Sequence, residues 1–110
     1  MKIYISIPIS NRDFAAQQTT AREIAEKLRE LGHEPVNPFD TPEAPQGLSE
    51  KERYAYYMGE DLKRLLTCDA VLFCKGHEKS RGCRIEQQAA YIMGVQEFYN
   101  IADIPQSERP

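Results

Sequence analysis

Apolar and polar residues follow one another along the chain in blocks, and four of these blocks have the length and composition of β-strands. They cover residues 2–6, 34–37, 70–74 and 95–99. The third block, Ala70-Val71-Leu72-Phe73-Cys74, is apolar at every position. Such a run is typical of a strand that is covered on both faces, as in a parallel sheet.

Three longer segments between these strands carry apolar residues at helical spacing, which predicts helices over about residues 14–31, 49–67 and 83–93. The capping box Ser49-Glu50-Lys51-Glu52 begins the second helix, and Gly32 and Gly94 are expected to end the first and the third. The predicted order of elements is therefore β-α-β-α-β-α-β.

This order predicts a three-layer α/β fold of the flavodoxin-like or Rossmann-like kind. Right-handed crossovers place helices on both faces of a small parallel sheet of about four strands. We expect the strand order 2-1-3-4. Residues 38–48 contain three prolines, and this loop is longer than a connection requires. It is therefore expected to form a wall over a site.

The length of the chain, 110 residues and 12.6 kDa, is that of a single domain. Folding a chain of this mass buries about two-thirds of its surface. We predict one α/β domain over residues 1–100 and a polar tail over residues 101–110. The net charge of -3 includes no run of like charges, so a polynucleotide partner is not expected.

The cysteines argue against a disulfide framework and against a zinc or redox motif, because Cys68, Cys74 and Cys83 are odd in number and form no close pair. No segment reaches the about eighteen apolar residues of a membrane span, and the N-terminus lacks the pattern of a signal peptide. We therefore expect a cytoplasmic protein with no metal, no cofactor and no membrane partner.

Two polar loops are expected to meet at one edge of the sheet. Ligands of open α/β sheets bind beyond the carboxyl ends of the strands, where the strand order reverses. This rule places the crevice between loop 6–12 and loop 75–82. The candidate binding residues are Ser6, Ile7, Ser10, Arg12, Ser80, Arg81 and Gly82. The second loop runs into a helix N-terminus, which favours an anion such as phosphate, although Ser80 is equally expected as a simple helix cap.

Three further residues lie where chemistry is expected. Glu86 is in line with Ala90 and Met93 on the side of the third helix that packs on the sheet, and Asp61 falls among apolar residues of the second helix. A carboxylate on an inward face costs several kcal/mol unless it is hydrogen-bonded. Tyr4 lies on the strand that flanks the crevice. The alternatives are a glutamate placed for the helix dipole, a solvated or structural aspartate, and a tyrosine that only fills the sheet.

Four segments together resemble the nucleoside 2-deoxyribosyltransferase-like superfamily, and most of all a group of small bacterial and phage proteins. The segments are Lys2-Ile3-Tyr4-Ile5-Ser6, Gly32-His33 with Asn37-Pro38, Glu60-Asp61-Leu62 with Cys68-Asp69-Ala70, and Ser80-Arg81-Gly82-Cys83-Arg84-Ile85-Glu86. The resemblance covers about residues 1–94 in order and spacing. The chain is also similar to 2′-deoxynucleoside 5′-monophosphate N-hydrolases.

The resemblance implies an enzyme that cleaves or transfers the N-glycosidic bond of a nucleoside or nucleotide, with a small molecule as its partner. Glu86 matches the family nucleophile, which attacks C1′ and forms a covalent glycosyl-enzyme. Asp61 matches the carboxylate that handles the departing base, and Tyr4 matches the tyrosine that orients the glutamate. Ser80 stands where nucleoside-transferring relatives tend to have an acidic residue, which implies a substrate with a 5′-phosphate.

Three departures from the family pattern leave alternatives open. Ile7 stands where the family usually has glycine, His77 where tryptophan is usual, and Cys83 where alanine is usual. We interpret them as changes of specificity. The alternative is a nucleotide-binding or sensing module in which Ile7 blocks the sugar. A flavodoxin-like FMN carrier also fits the fold class, but the chain has no tryptophan and few aromatic residues are expected beside the crevice.

The resemblance also implies a homodimer or a larger homo-oligomer. Tyr54, Tyr56 and Tyr57 agree with this, because three tyrosines in four helical positions cannot all face one core and tyrosine is enriched at interfaces. We expect the second helix to take part in the contact.

Overall fold

The computed structural model describes residues 1–107, and a four-stranded sheet forms its centre. The strands are β1 (Lys2–Ser6), β2 (Glu34–Val36), β3 (Ala70–Phe73) and β4 (Gln96–Phe98). All neighbouring strands are parallel, and their order is β2-β1-β3-β4. The predicted α/β class and the predicted strand order 2-1-3-4 are both confirmed.

Three helices connect the strands: α1 (Phe14–Glu30), α2 (Glu50–Leu65) and α3 (Arg81–Met93). Ser49 begins α2 with the predicted capping box, and Gly94 ends α3 at a φ of 73°, which glycine adopts without strain. Helix α3 begins two residues earlier than predicted, because the side chain of Ser80 accepts a hydrogen bond from the backbone N–H of Cys83. No helix within residues 1–107 is long and apolar enough to cross a membrane.

The side chains of β1 alternate between the two faces of the sheet, and each face carries its own apolar core. Helix α1 covers one face, whose buried residues are Ile3, Ile5, Ile7, Ala21, Ala25, Leu28, Ala70, Leu72, Phe98 and Ile104. Helices α2 and α3 cover the other, whose buried residues are Tyr4, Val36, Leu65, Cys68, Val71, Phe73 and Ala90. Because Tyr4 and Ser6 are two positions apart, both side chains lie on the α2–α3 face.

The chain beyond β4 packs back onto the domain. After a short 3-10 helix at Ile101–Asp103, Ile104 is buried in the core under α1. The backbone N–H of Ser107 donates to the carbonyl of Leu31 over 2.7 Å, and Nε2 of His33 lies 2.6 Å from the carbonyl oxygen of Pro105. The segment predicted as a polar tail is therefore anchored over residues 101–107, and its last residues, 108–110, lie outside the described part.

Candidate active site

Helix α3 presents Glu86 to the sheet. The inward face of the helix carries Cys83, Glu86 and Ala90, which are spaced three and four positions apart. Only 5% of Glu86 is exposed, although the residue is a glutamate. The expectation that Met93 shares this packed face is wrong, because Met93 is the last residue of α3 and is 64% exposed.

Two hydroxyl groups of β1 hold the carboxylate of Glu86. The phenol of Tyr4 donates to Oε2 over 2.7 Å, and the hydroxyl of Ser6 donates to Oε1 over 2.7 Å. Each carboxylate oxygen therefore receives one hydrogen bond from the same strand. These contacts satisfy a buried group that would otherwise be costly, and they fix the orientation of the carboxylate plane.

Burial dominates the electrostatics of this carboxyl group. It raises the pKa of Glu86 to about 7, while the hydrogen bonds from Ser6 and Tyr4 act in the opposite direction and the charge of Asp61 adds to the rise. Burial also raises the pKa of the Tyr4 phenol, and the charge of Glu86 raises it further. Tyr4 therefore remains a protonated donor at every physiological pH.

Asp61 approaches the same region from α2. Its Oδ1 accepts a hydrogen bond of 3.0 Å from the hydroxyl of Thr41, and that hydroxyl in turn accepts one of 2.6 Å from Nη1 of Arg64. Burial raises the pKa of Asp61 to about 6, against the lowering effects of the Thr41 hydrogen bond and the Arg64 charge. Two carboxyl groups with raised pKa values therefore lie at one site.

Both carboxyl groups open onto a cleft of about 740 Å³. The predicted site residues that line it are Tyr4, Ile7, Ser10, Asp61, Ser80, Arg81, Gly82 and Glu86. Ser6 is fully buried behind them and contacts Glu86. Ile7 and Ser10 come from the first loop of the predicted crevice and Ser80 from the second, so the cleft borders both loops.

Arg12 does not join these residues. It lines a second cavity of about 460 Å³ together with Lys75 and Gly76. Asn11 adopts a φ of 60°, which turns the chain before Arg12, and Nη2 of Arg12 lies 3.2 Å from where a Cβ of Gly76 would be. Arg12 thus stays a predicted binding residue that the fold directs to a neighbouring cavity.

Comparison with known proteins identifies the family of this chain. The family model described as Domain of unknown function (DUF4406) matches residues 1–99. The chain belongs to the DUF4406 family. Among solved structures, a 2-deoxyribosyltransferase from the psychrotolerant bacterium Bacillus psychrosaccharolyticus is similar, with a TM-score of 0.67 and 25% identity. The match covers 88% of this chain and 69% of that one. No curated protein sequence matches the chain.

The structural match confirms that this DUF4406 chain belongs with the nucleoside 2-deoxyribosyltransferase-like superfamily, as its sequence motifs indicated. It supports a role in nucleoside glycosyl transfer at the level of the superfamily. The related enzyme is a biocatalyst for the synthesis of antiviral and antitumoral nucleosides.

Aromatic side chains line the DUF4406 cleft in larger number than expected. The sequence predicted few, whereas the cleft is lined by Tyr4, Phe14, Phe39, Tyr54 and Tyr57. The rings of Phe14 and Phe39 meet edge to face, with their centroids 5.1 Å apart. Such a lining suits a planar heterocycle such as a nucleobase. The prediction failed because Phe14 resembles an ordinary first residue of a helix and Phe39 lies in a loop without periodicity.

The predicted wall, residues 38–48, does border the cleft. Phe39, Thr41 and Glu43 from this segment line it. The backbone N–H of Ala44 donates to the hydroxyl of Tyr57 over 2.9 Å, which fastens the far part of the wall to α2. Within residues 1–107 no group of three or more His, Cys, Asp or Glu side chains is arranged to hold a metal ion.

The burial of Glu86 predicts a pH-dependent stability. Because its pKa rises from 4.5 to about 7 on folding, the native chain binds more protons than the unfolded chain between these values, and the free energy of unfolding falls as the pH rises through this range. Glu86→Gln removes this effect. We expect the free energy of unfolding of the variant, relative to that of the wild type, to be about 1–3 kcal/mol higher at pH 8 than at pH 4. Urea unfolding at the two pH values measures this.

The exposed Glu23→Gln on α1 is the matched control for the loss of one charge. It should show the same difference from the wild type at both pH values. A Glu86→Gln difference that is equally independent of pH would contradict the burial of an ionisable Glu86.

Proposed function

We propose that the chain breaks the N-glycosidic bond of a nucleoside 5′-monophosphate through a covalent glycosyl ester of Glu86. The observation that carries this proposal is the buried Glu86 carboxylate, which two hydroxyl groups orient at 2.7 Å beside a cleft shared with a second carboxyl group. The likeness to a 2-deoxyribosyltransferase supports glycosyl transfer as the reaction class.

In the first step, an oxygen of Glu86 attacks C1′ while the bond between C1′ and the base nitrogen breaks. The electron pair of that bond goes to the base, and Asp61 donates the proton that the departing base takes up. The positive charge that develops on the sugar is stabilised by the nearby carboxylate. In the second step, water in a hydrolase or another base in a transferase attacks C1′ and gives up a proton to Asp61, while the bond between C1′ and the Glu86 oxygen breaks and returns Glu86 as a carboxylate.

The two carboxyl groups must divide their roles, with Glu86 ionised and Asp61 protonated. Their pKa values of about 7 and about 6 mean that the pair holds roughly one proton near neutral pH. Both values already include the hydrogen bonds, and the higher pKa of Glu86 places that proton mainly on Glu86 in the free chain. The mechanism uses the less populated distribution, with the proton on Asp61, and it implies a bell-shaped dependence of turnover on pH.

The position of Ile7 favours turnover over a binding or sensing module. Its side chain is buried in the core on the α1 side and also lines the cleft. The side chain that replaces glycine therefore packs on the face of the sheet opposite to Tyr4, which is the residue that holds Glu86.

The N-terminus of α3 supports the choice of a 5′-phosphate. Ser80, Arg81 and Gly82 line the cleft, and Arg53 and Lys79 add positive charge. The Ser80 oxygen accepts the hydrogen bond from the backbone N–H of Cys83, and its hydroxyl hydrogen can be directed either to the neighbouring Cys83 thiol or to a phosphate. The cap and the phosphate interpretations are therefore compatible.

We also propose that the chain assembles at least as a homodimer, with α2 in the contact. The tyrosine cluster supports this less directly than its sequence suggested, because Tyr54 and Tyr57 line the cleft. The end of α3 adds support, since Tyr91 and Ile92 are 75% and 67% exposed. Exposed apolar side chains that adjoin one another favour an interface.

The role of Glu86 predicts the result of two conservative substitutions. Glu86→Gln keeps the shape but loses the nucleophile, so base release from a panel of nucleosides and 5′-monophosphates should fall by about a thousandfold or more. Asp61→Asn should strongly slow the release of natural bases, and it should have a much smaller effect on the release of bases that depart without a proton. Chromatographic quantification of the free base measures both, and undiminished turnover by Glu86→Gln would remove the assignment.

The phosphate assignment predicts a change of preference in Ser80→Asp. An aspartate keeps the helix cap but repels a phosphate dianion, so the ratio of kcat/KM for the 5′-monophosphate to that for the nucleoside should fall by about tenfold or more. Arg84→Gln, exposed on the same helix, is the control for a change of charge. The phosphate assignment is wrong if the wild type prefers the nucleoside or if Ser80→Asp leaves the ratio unchanged.

The assembly proposal predicts a mass of at least twice 12.6 kDa in light scattering at high micromolar concentration. Ile92→Asp should reduce the mass if the end of α3 lies in the contact, because a charge there would be desolvated. A wild-type chain that scatters as a 12.6 kDa monomer would refute the homodimer.

A further inference from the structure

Arg64 lies one helical turn after Asp61 on α2, and its guanidinium group reaches across to the wall. Nη1 donates to the hydroxyl of Thr41 over 2.6 Å, and Nη2 donates to the backbone carbonyl of Asn37 over 3.2 Å. Arg64 makes no salt bridge with any residue in the described range 1–107. The guanidinium group therefore donates to two neutral oxygens, at the start of the wall and just after the end of β2.

The chemistry of these groups fixes the direction of the hydrogen-bond chain. A guanidinium group only donates, and a hydroxyl group has one hydrogen to give. Because Thr41 accepts from Arg64, its single hydrogen is directed to Oδ1 of Asp61 over 3.0 Å. The chain therefore runs from Arg64 through Thr41 to Asp61.

This chain leaves one carboxyl oxygen of Asp61 unused. No donor within residues 1–107 is directed to Oδ2, and Asp61 lines the cleft. With Oδ1 occupied by Thr41, the proton that Asp61 carries is placed on Oδ2. That oxygen is the one available to a departing base.

We propose that Arg64 is a positioning residue that acts through Thr41 to hold Asp61 with its acidic oxygen toward the leaving base. This inference rests on the proposed glycosidic function of the cleft. Arg64 touches no reacting atom. It sets the rotamer of Thr41 and, with it, which oxygen of Asp61 carries the proton.

The same contacts couple Asp61 to the wall. Arg64 holds the near end of the wall through Asn37 and Thr41, and Phe39 between them lines the cleft. A base that packs against Phe39 is therefore positioned by the same guanidinium group that orients the acid. Binding of the base and delivery of its proton depend on one side chain.

The charges around Asp61 define the expected effect on its titration. Glu60 on α2 and Glu86 on α3 are acidic, Tyr4 on β1 is neutral, and Arg64 is the cation that acts on Asp61. Without Arg64 the carboxylate of Asp61 loses the positive charge that lowers its pKa, and it loses the group that orients its Thr41 donor. The pKa of Asp61 should then rise, which makes it a weaker acid for the departing base.

The test compares Arg64→Gln and Arg64→Lys with Arg22→Gln, an exposed arginine on α1 that serves as the matched control. Base release is followed against pH for the best natural 5′-monophosphate and for N7-methyl-2′-deoxyguanosine 5′-monophosphate, whose base departs without a proton. Carbon-13 NMR of the carboxyl groups measures the titration of Asp61 independently of activity.

We expect Arg64→Gln to lower kcat for the natural substrate by about tenfold or more, with less than about a threefold change for the methylated one. The Asp61 titration should move up by about half a pH unit or more, and the pH profile of turnover, which depends on both carboxyl groups, should move up with it. Arg64→Lys should restore the pH values in part but not kcat, because a single ammonium group cannot hold both Thr41 and Asn37.

Thr41→Val provides a second route if Arg64→Gln does not fold. It removes the hydroxyl at nearly constant volume and should produce the same leaving-group dependence. Two results would overturn the role of Arg64 and leave the proposed function intact. They are an equal loss of kcat for both substrates, and an unchanged Asp61 titration in an active Arg64→Gln. A wild type that turns over no nucleoside or nucleotide would overturn the proposed function, whatever the titration shows.

Discussion

The constraint on which the site depends is the burial of a carboxylate between a helix and the central strand of the sheet. Glu86 is almost fully enclosed, and an enclosed carboxylate is stable only with hydrogen-bond partners. Tyr4 and Ser6 supply them because the alternation of β1 directs both side chains to the face on which α3 packs. Burial raises the pKa of Glu86, whereas the two hydroxyl donors lower it and fix the orientation of the carboxylate. A fixed orientation suits the proposed nucleophile, which must meet one carbon atom.

The rest of the fold places a second acid and a wall around this group. Helix α2 brings Asp61, and the long connection before α2 brings Thr41 and Phe39. Arg64 on α2 donates hydrogen bonds to Thr41 and to the backbone carbonyl of Asn37, which joins the helix to this loop. The carboxyl ends of parallel strands thus give a cleft in which two carboxyl groups and an aromatic surface lie within one small domain.

The sequence predicted those features that follow from periodicity or from motif. The three helices and the inward positions of Glu86 and Asp61 are visible in apolar patterns and in family segments, whereas the strand order was an expectation that no periodicity carries. Thr41 and Arg64 were missed because their hydrogen bonds join residues twenty or more positions apart through a loop without periodicity. The sequence did not show that Arg12 lines a neighbouring cavity, because the left-handed backbone conformation of Asn11 just before it is not specified by the apolar pattern. Ile104 was missed because one isoleucine in a polar segment forms no pattern.

The central claim is that Glu86 becomes covalently linked to the sugar, and trapping that ester tests it most directly. A nucleoside 5′-monophosphate with fluorine at C2′ destabilises the cationic transition states and slows release of the intermediate. Tandem mass spectrometry of the tryptic peptide that begins at Ile85 should then show the fluorosugar phosphate on Glu86, and Glu86→Gln should show none. Turnover of the unfluorinated substrate without an adduct at Glu86, or with an adduct at another residue, would contradict the account.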